Sequence, residues 1–74
     1  MVTITATRDD NTQNLVIVNT VEDAEAFLDR LAGSYWGIPG FTAKREADTL
    51  TILCNTIGEG ERIASIYRAT PDAA

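Results

Sequence analysis

Seventy-four residues make one small domain, 1–74, and with 45% apolar, 23% charged and 7% aromatic residues the chain has the composition of a folded protein rather than a disordered one. Six Lys and Arg against eleven Asp and Glu leave a net charge of −5, which argues against direct nucleic-acid binding, where affinity comes largely from cations neutralising phosphates. The absence of His and the single Cys54 exclude a structural zinc site, an internal disulfide and a Ser-His or Cys-His catalytic pair.

No apolar run nears the roughly 18 residues of a membrane span, and no cationic segment precedes an apolar one, so neither a span nor a signal peptide is expected.

Residues Val2 to Thr7 alternate strictly, with Val2, Ile4 and Ala6 on one face and Thr3, Thr5 and Thr7 on the other, the pattern of a half-buried strand. Arg8 to Asn14 contains no apolar residue and is dense in Asp and Asn, so it reads as a turn. Leu15 to Val18 is wholly apolar and would return as the second arm of a hairpin. With both faces needing cover, it is expected as an inner strand.

Thr20 opens the one clear helix. Its hydroxyl can accept from free backbone N–H groups, and Asp23 holds the position that Glu or Gln takes in a capping box. Val21, Ala24, Phe27, Leu28, Leu31 and Ala32 fall at helical spacing and form the inward stripe, and Gly33 follows as a left-handed C′ residue. Ser34 to Gly40 reads as a loop, Phe41 to Glu46 as a strand, and Ala47-Asp48 as a turn. Thr49 to Asn55 is a further strand; Gly58 to Glu61 is a turn; Arg62 to Ala69 is the last strand; and residues 70–74 form a frayed tail. The order ββαβββ gives an α+β fold, one helix packed on a largely antiparallel sheet. One helix covers one sheet face, so the threonine face either meets water or is covered by a second copy. A core this small supports a stability of roughly 3–5 kcal/mol without such help.

Two features are candidates for function. Glu22, Asp23, Glu25 and Asp29 make the helix's outer face acidic. Acids in the first turn suit the helix dipole, but Glu25 and Asp29 are like charges at i and i+4, which costs a helix about 0.2–0.5 kcal/mol. The face is either solvated surface in an acidic protein or a patch that steers a basic partner. Tyr35, Trp36 and Phe41 cluster after the helix around Ile38 and Pro39. They either close one end of the core or, for Trp36 especially, anchor a partner. The partner-binding candidates are Glu22, Glu25, Asp29, Tyr35 and Trp36.

Other signals carry little. Asp9-Asp10-Asn11 lacks the acid spacing, glycine and terminal Glu of a calcium loop, and Gly58-x-Gly60 lacks the lysine of a phosphate loop. Cys54 alternates with Leu50 and Ile52 and reads as a small core residue. No catalytic, cofactor-binding or metal residues are assigned, and no enzyme activity is expected.

The run T-V-E-D-A-E-A-F-L-D-R-L over Thr20 to Leu31 resembles the Imm1 family of bacterial immunity proteins, whose members open with a strand hairpin followed by a T-x-E-E/D-L-x-x-L-L-D-x-L-type helix. The later T-L-T-I, G-E-G and I-A-S-I-Y resemble that family's following hairpin, so the likeness spans residues 2–68. The family pattern continues with further strands and a helix, so the resemblance would make this chain a minimal or truncated relative. The resemblance implies a cytoplasmic protein that neutralises a toxin by binding it, and no family site residue carries over. The expected function is thus a small acidic binding protein of inhibitor or immunity type, of bacterial or phage origin, with another protein as partner. The rivals are a homo-oligomeric structural module (a homodimer at its simplest) and a phage-type mimic of nucleic-acid charge.

Overall fold

The structure is a computed structural model that describes residues 1–56 and 60–71. Five strands and one helix follow in the order β1 (Val2–Arg8), β2 (Asn11–Val18), α1 (Val21–Tyr35), β3 (Phe41–Glu46), β4 (Thr49–Thr56) and β5 (Gly60–Pro71). The strands form one sheet in the order β2-β1-β5-β4-β3, and every neighbouring pair is antiparallel. The α+β class and the single helix follow the sequence reading.

The first connection is tighter than expected. Asp9 and Asp10 alone turn the chain, at φ 50° and 66°, and Asn11 to Asn14 already belong to β2. Two consecutive left-handed residues match the right-handed strand twist, and Asp tolerates that conformation better than most side chains. β2 is also an edge strand rather than an inner one. Its Val16 and Val18 are half-buried toward the helix, while Leu15 and Ile17 remain exposed. The inner place beside β1 goes to β5, which pairs with β1 from Thr7↔Ile66 to Val2↔Pro71. Thr70 and Pro71 are therefore strand residues, not a tail; residues 72–74 lie outside the described residues. The Gly58 and Glu59 part of the expected turn also lies outside them, and Gly60 and Glu61 open β5.

Thr20 caps α1 as the sequence reading holds. It is extended at φ −131° and ψ 163°, its hydroxyl accepts from the Asp23 N–H at 3.0 Å, and its carbonyl accepts from the Ala24 N–H at 3.1 Å. Thr20→Ala should cost about 1 kcal/mol of stability, read from the urea midpoint. The far end departs from expectation. Gly33 is helical, the helix runs on to Tyr35, and Trp36 is the C-cap, its N–H donating to the Gly33 carbonyl at 3.2 Å. The left-handed glycine that follows is Gly37, at φ +82°. A mid-helix Gly costs about 1 kcal/mol, and the extra turn is held by Tyr35, which packs on the core.

Ile4, Leu28, Leu50 and Ile52 are fully buried and, with Val2, Ala24, Tyr67 and Ala69, make the core between helix and sheet. Phe27, Leu31 and Ala32 pack against its rim half-buried. Val21 departs from the stripe and is exposed in the first turn of the helix. The register puts Thr3, Thr5 and Thr7, Thr49 and Thr51, and Thr70 on the other face, which no helix covers. That face holds one buried apolar side chain, Leu53, paired opposite the exposed Ile63.

Candidate functional site

The acidic helix face is built as expected but is partly neutralised. Glu22, Glu25 and Asp29 are all exposed. Asp29, however, accepts from the Arg45 Nε at 3.0 Å. Arg45 is mostly covered and also donates through Nη1 to the carbonyls of Glu46 and Ala47, so one guanidinium ties the helix to the β3–β4 turn. This ion pair offsets the Glu25–Asp29 repulsion, and the charge left open to an approaching partner is that of Glu22, Asp23 and Glu25. An exposed pair of this kind contributes at most about 1 kcal/mol.

The aromatic candidates separate. Tyr35 is not a loop residue; it closes the helix, half-buried. Its hydroxyl lies 3.5 Å from that of Tyr67, and its ring sits 5.8 Å from Phe41 at a tilt of 52°. These contacts occupy Tyr35 within the fold. Trp36 instead leaves the helix in an extended conformation and is 86% exposed. It closes no part of the core. Ile38 and Phe41 are exposed beside it, and Gly37 and Gly40, both left-handed, bend the segment that carries them. Trp36 and Phe41 border one shallow hollow at the helix's C-terminal end, and Ile38 is a further exposed apolar residue of the same segment.

A third feature has no counterpart in the sequence reading. The helix ends at Tyr35 while the strands beneath it run on, leaving part of the helix-side sheet face uncovered. There lies a cleft of about 510 Å³ lined by Arg8, Tyr35, Phe41, Ile52, Arg62 and Ser65 among others. Cys54 also lines it and is half-buried rather than a core residue, because it lies one pleat beyond Ile52, past the helix's reach. A second hollow of about 580 Å³ adjoins it across Arg8 and Ser65 and reaches Gln13, Leu15 and Tyr67. The Arg8 Nε donates to the Ser65 Oγ at 3.4 Å, and Ser65 is buried at 4% exposure. Arg8 and Arg62 are far apart in sequence, and only the β1–β5 register, with Ala6 opposite Tyr67, brings them to one place.

The hydrogen bond with Tyr67 raises the Tyr35 pKa above its ordinary 10.0; burial raises it further, and the Arg8 charge opposes both. The fold therefore retains a proton that the unfolded chain releases above about pH 10, so stability should fall as pH rises past that value. Tyr35→Phe is expected to flatten this decline, checked by urea midpoints at pH 8 to 11.

Among the described residues no group of three His, Cys, Asp or Glu could hold a metal ion, and no helix is long and apolar enough to cross a membrane. Comparison of the chain with protein-family models, with curated proteins and with solved structures gives no match.

Proposed function

We propose that this chain is a non-enzymatic binding protein of inhibitor or immunity type, which masks a site on another protein in the cytoplasm of a bacterium or a phage-infected cell. The supporting observation is Trp36, 86% exposed at the end of a helix whose outer face is acidic. A large amphipathic ring held in the open at a rigid helix terminus loses little conformational freedom on binding, and Trp is enriched in interface hot spots. Ile38 and Phe41 extend its apolar contact. Glu22 and Glu25, exposed on the same helix, would attract a basic partner surface and set its approach. Tyr35 acts from behind, holding the last helical turn in place rather than meeting the partner. Asp29 contributes less, because Arg45 already engages it.

The test is capture from the native host with the folded parent and with folded Trp36→Ala, followed by identification of what each retains. A basic protein held by the parent and lost by the variant supports this reading, and equal retention by both overturns it. A second reading, a homo-oligomeric module, is favoured by the uncovered threonine face. Sedimentation at tens of micromolar, on the order of weak interface affinities, should then show a dimer, whereas a monomer at about millimolar concentration removes it.

A further inference from the structure

We propose that the cleft beyond the helix C-terminus binds a small organic carboxylate, its anionic end between Arg8 and Arg62 and its apolar body against Phe41. The cleft volume, about 510 Å³, lies within the range of small-molecule sites. Its electrostatics run against the rest of the molecule. The chain carries a net charge of −5, yet two of its six cations line this one recess. Neither makes an ion pair among the described residues; the single ion pair there is Arg45–Asp29. Guanidinium groups offer paired donors that match the geometry of a carboxylate.

Arg8 is held ready by the buried Ser65, whose hydroxyl takes its Nε and leaves the rest of the guanidinium fork to a ligand. Asp9, also on the lining, reduces the local charge to about one net positive, which suits a monoanion better than a phosphate dianion. The apolar contact is Phe41, exposed next to Tyr35, with the half-buried Ala64 also on the lining. Such a carboxylate could be a free acid or the terminal carboxyl group of a peptide. The site does not use Trp36, although it shares Phe41 with the partner surface proposed above.

The test is a titration followed by amide NMR shifts, with phenylacetate and N-acetylphenylalanine as probes and their neutral amides as controls, up to about 10 mM. The expected result is saturable shifts centred on Arg8, Arg62 and Ser65 for the acids and none for the amides. Tighter binding of phenylacetate identifies a free acid, and tighter binding of N-acetylphenylalanine identifies a chain end. Arg62→Gln should weaken binding roughly tenfold, as loss of a charge-assisted bond does. Arg62 is the cleaner position, because Arg8→Gln also breaks the Ser65 bond. Absence of saturable shifts, equal binding of the amides, unchanged affinity in folded Arg62→Gln, or tighter binding of inorganic phosphate than of either acid would overturn the proposal.

Discussion

Leu28→Ala is expected to lower stability by about 2–5 kcal/mol, the usual cost of emptying a buried leucine site. Leu28 has no exposed surface and sits in the middle of α1, in the same cluster as Ile4, Leu50 and Ile52. The cost combines lost transfer energy with a cavity that the sheet below cannot collapse to fill, since its strands are fixed by their own ladders. In a domain whose total stability is roughly 3–5 kcal/mol, a loss at the upper end of that range leaves the variant substantially unfolded at 25 °C. Urea denaturation followed by far-UV circular dichroism checks this, with the slope held constant so that the midpoint reports stability alone. Val21→Ala is the control. Val21 belongs to the same sequence stripe but is 53% exposed, so its loss should stay within about 0.5 kcal/mol. A cost under about 1 kcal/mol at Leu28, or equal costs at both positions, would mean that the helix does not present this face to the sheet.

Trp36→Ala should leave folding intact and remove at least about 2 kcal/mol of partner binding, roughly thirtyfold in Kd. The side chain is almost wholly in solvent, so the unfolding midpoint should not move, and the single-tryptophan emission of the parent should be that of a hydrated indole. Loss of an anchor speeds dissociation, because the contact exists only in the bound state. Reversing Glu22 and Glu25 to Lys should act on the other rate, slowing association and flattening its salt dependence while leaving dissociation nearly unchanged. Stopped-flow kinetics at two ionic strengths separate the effects. A nucleic-acid mimic would give the opposite pattern, with binding collapsing at high salt and Trp36 of little consequence. Unchanged dissociation from folded Trp36→Ala, or a variant that fails to fold, would remove Trp36 as the anchor.

Local signals in the sequence were read well where a short stretch of chain decides the outcome. Thr20 determines the helix start by its own hydroxyl, and the alternation over Val2 to Thr7 assigns two faces to one strand. Phe41 to Glu46 and its turn at Ala47-Asp48 have the expected bounds. The misreadings occur where distant partners decide. Leu15 to Val18 has the composition of an inner strand, but β2 pairs with β1 on one side only, while β5 takes the central place on the opposite edge of β1 and brings in Tyr67 and Ala69, two buried side chains. Gly33 looks like a helix stop until Tyr35 finds Phe41 and Tyr67. The cleft was illegible for the same reason: Arg8 and Arg62 share it only because of strand register. Trp36 shows the opposite case, in which composition posed the question and exposure bears directly on it.

The position of β5 also bears on how the polypeptide is made. β5 is the middle strand of the sheet, yet it leaves the ribosome after all the others. Until it emerges, the sheet is limited to two separate hairpins, β1–β2 and β3–β4, each with an open inner edge bearing Ile4 or Ile52. Such edges template pairing with other chains, and closing them requires contacts across nearly the whole sequence, which makes folding slow for so short a chain. The vulnerable interval is therefore the time between synthesis of β4 and capture of β5. Any truncation ahead of Gly60 would make that interval permanent and leave both inner edges open to pairing with other chains.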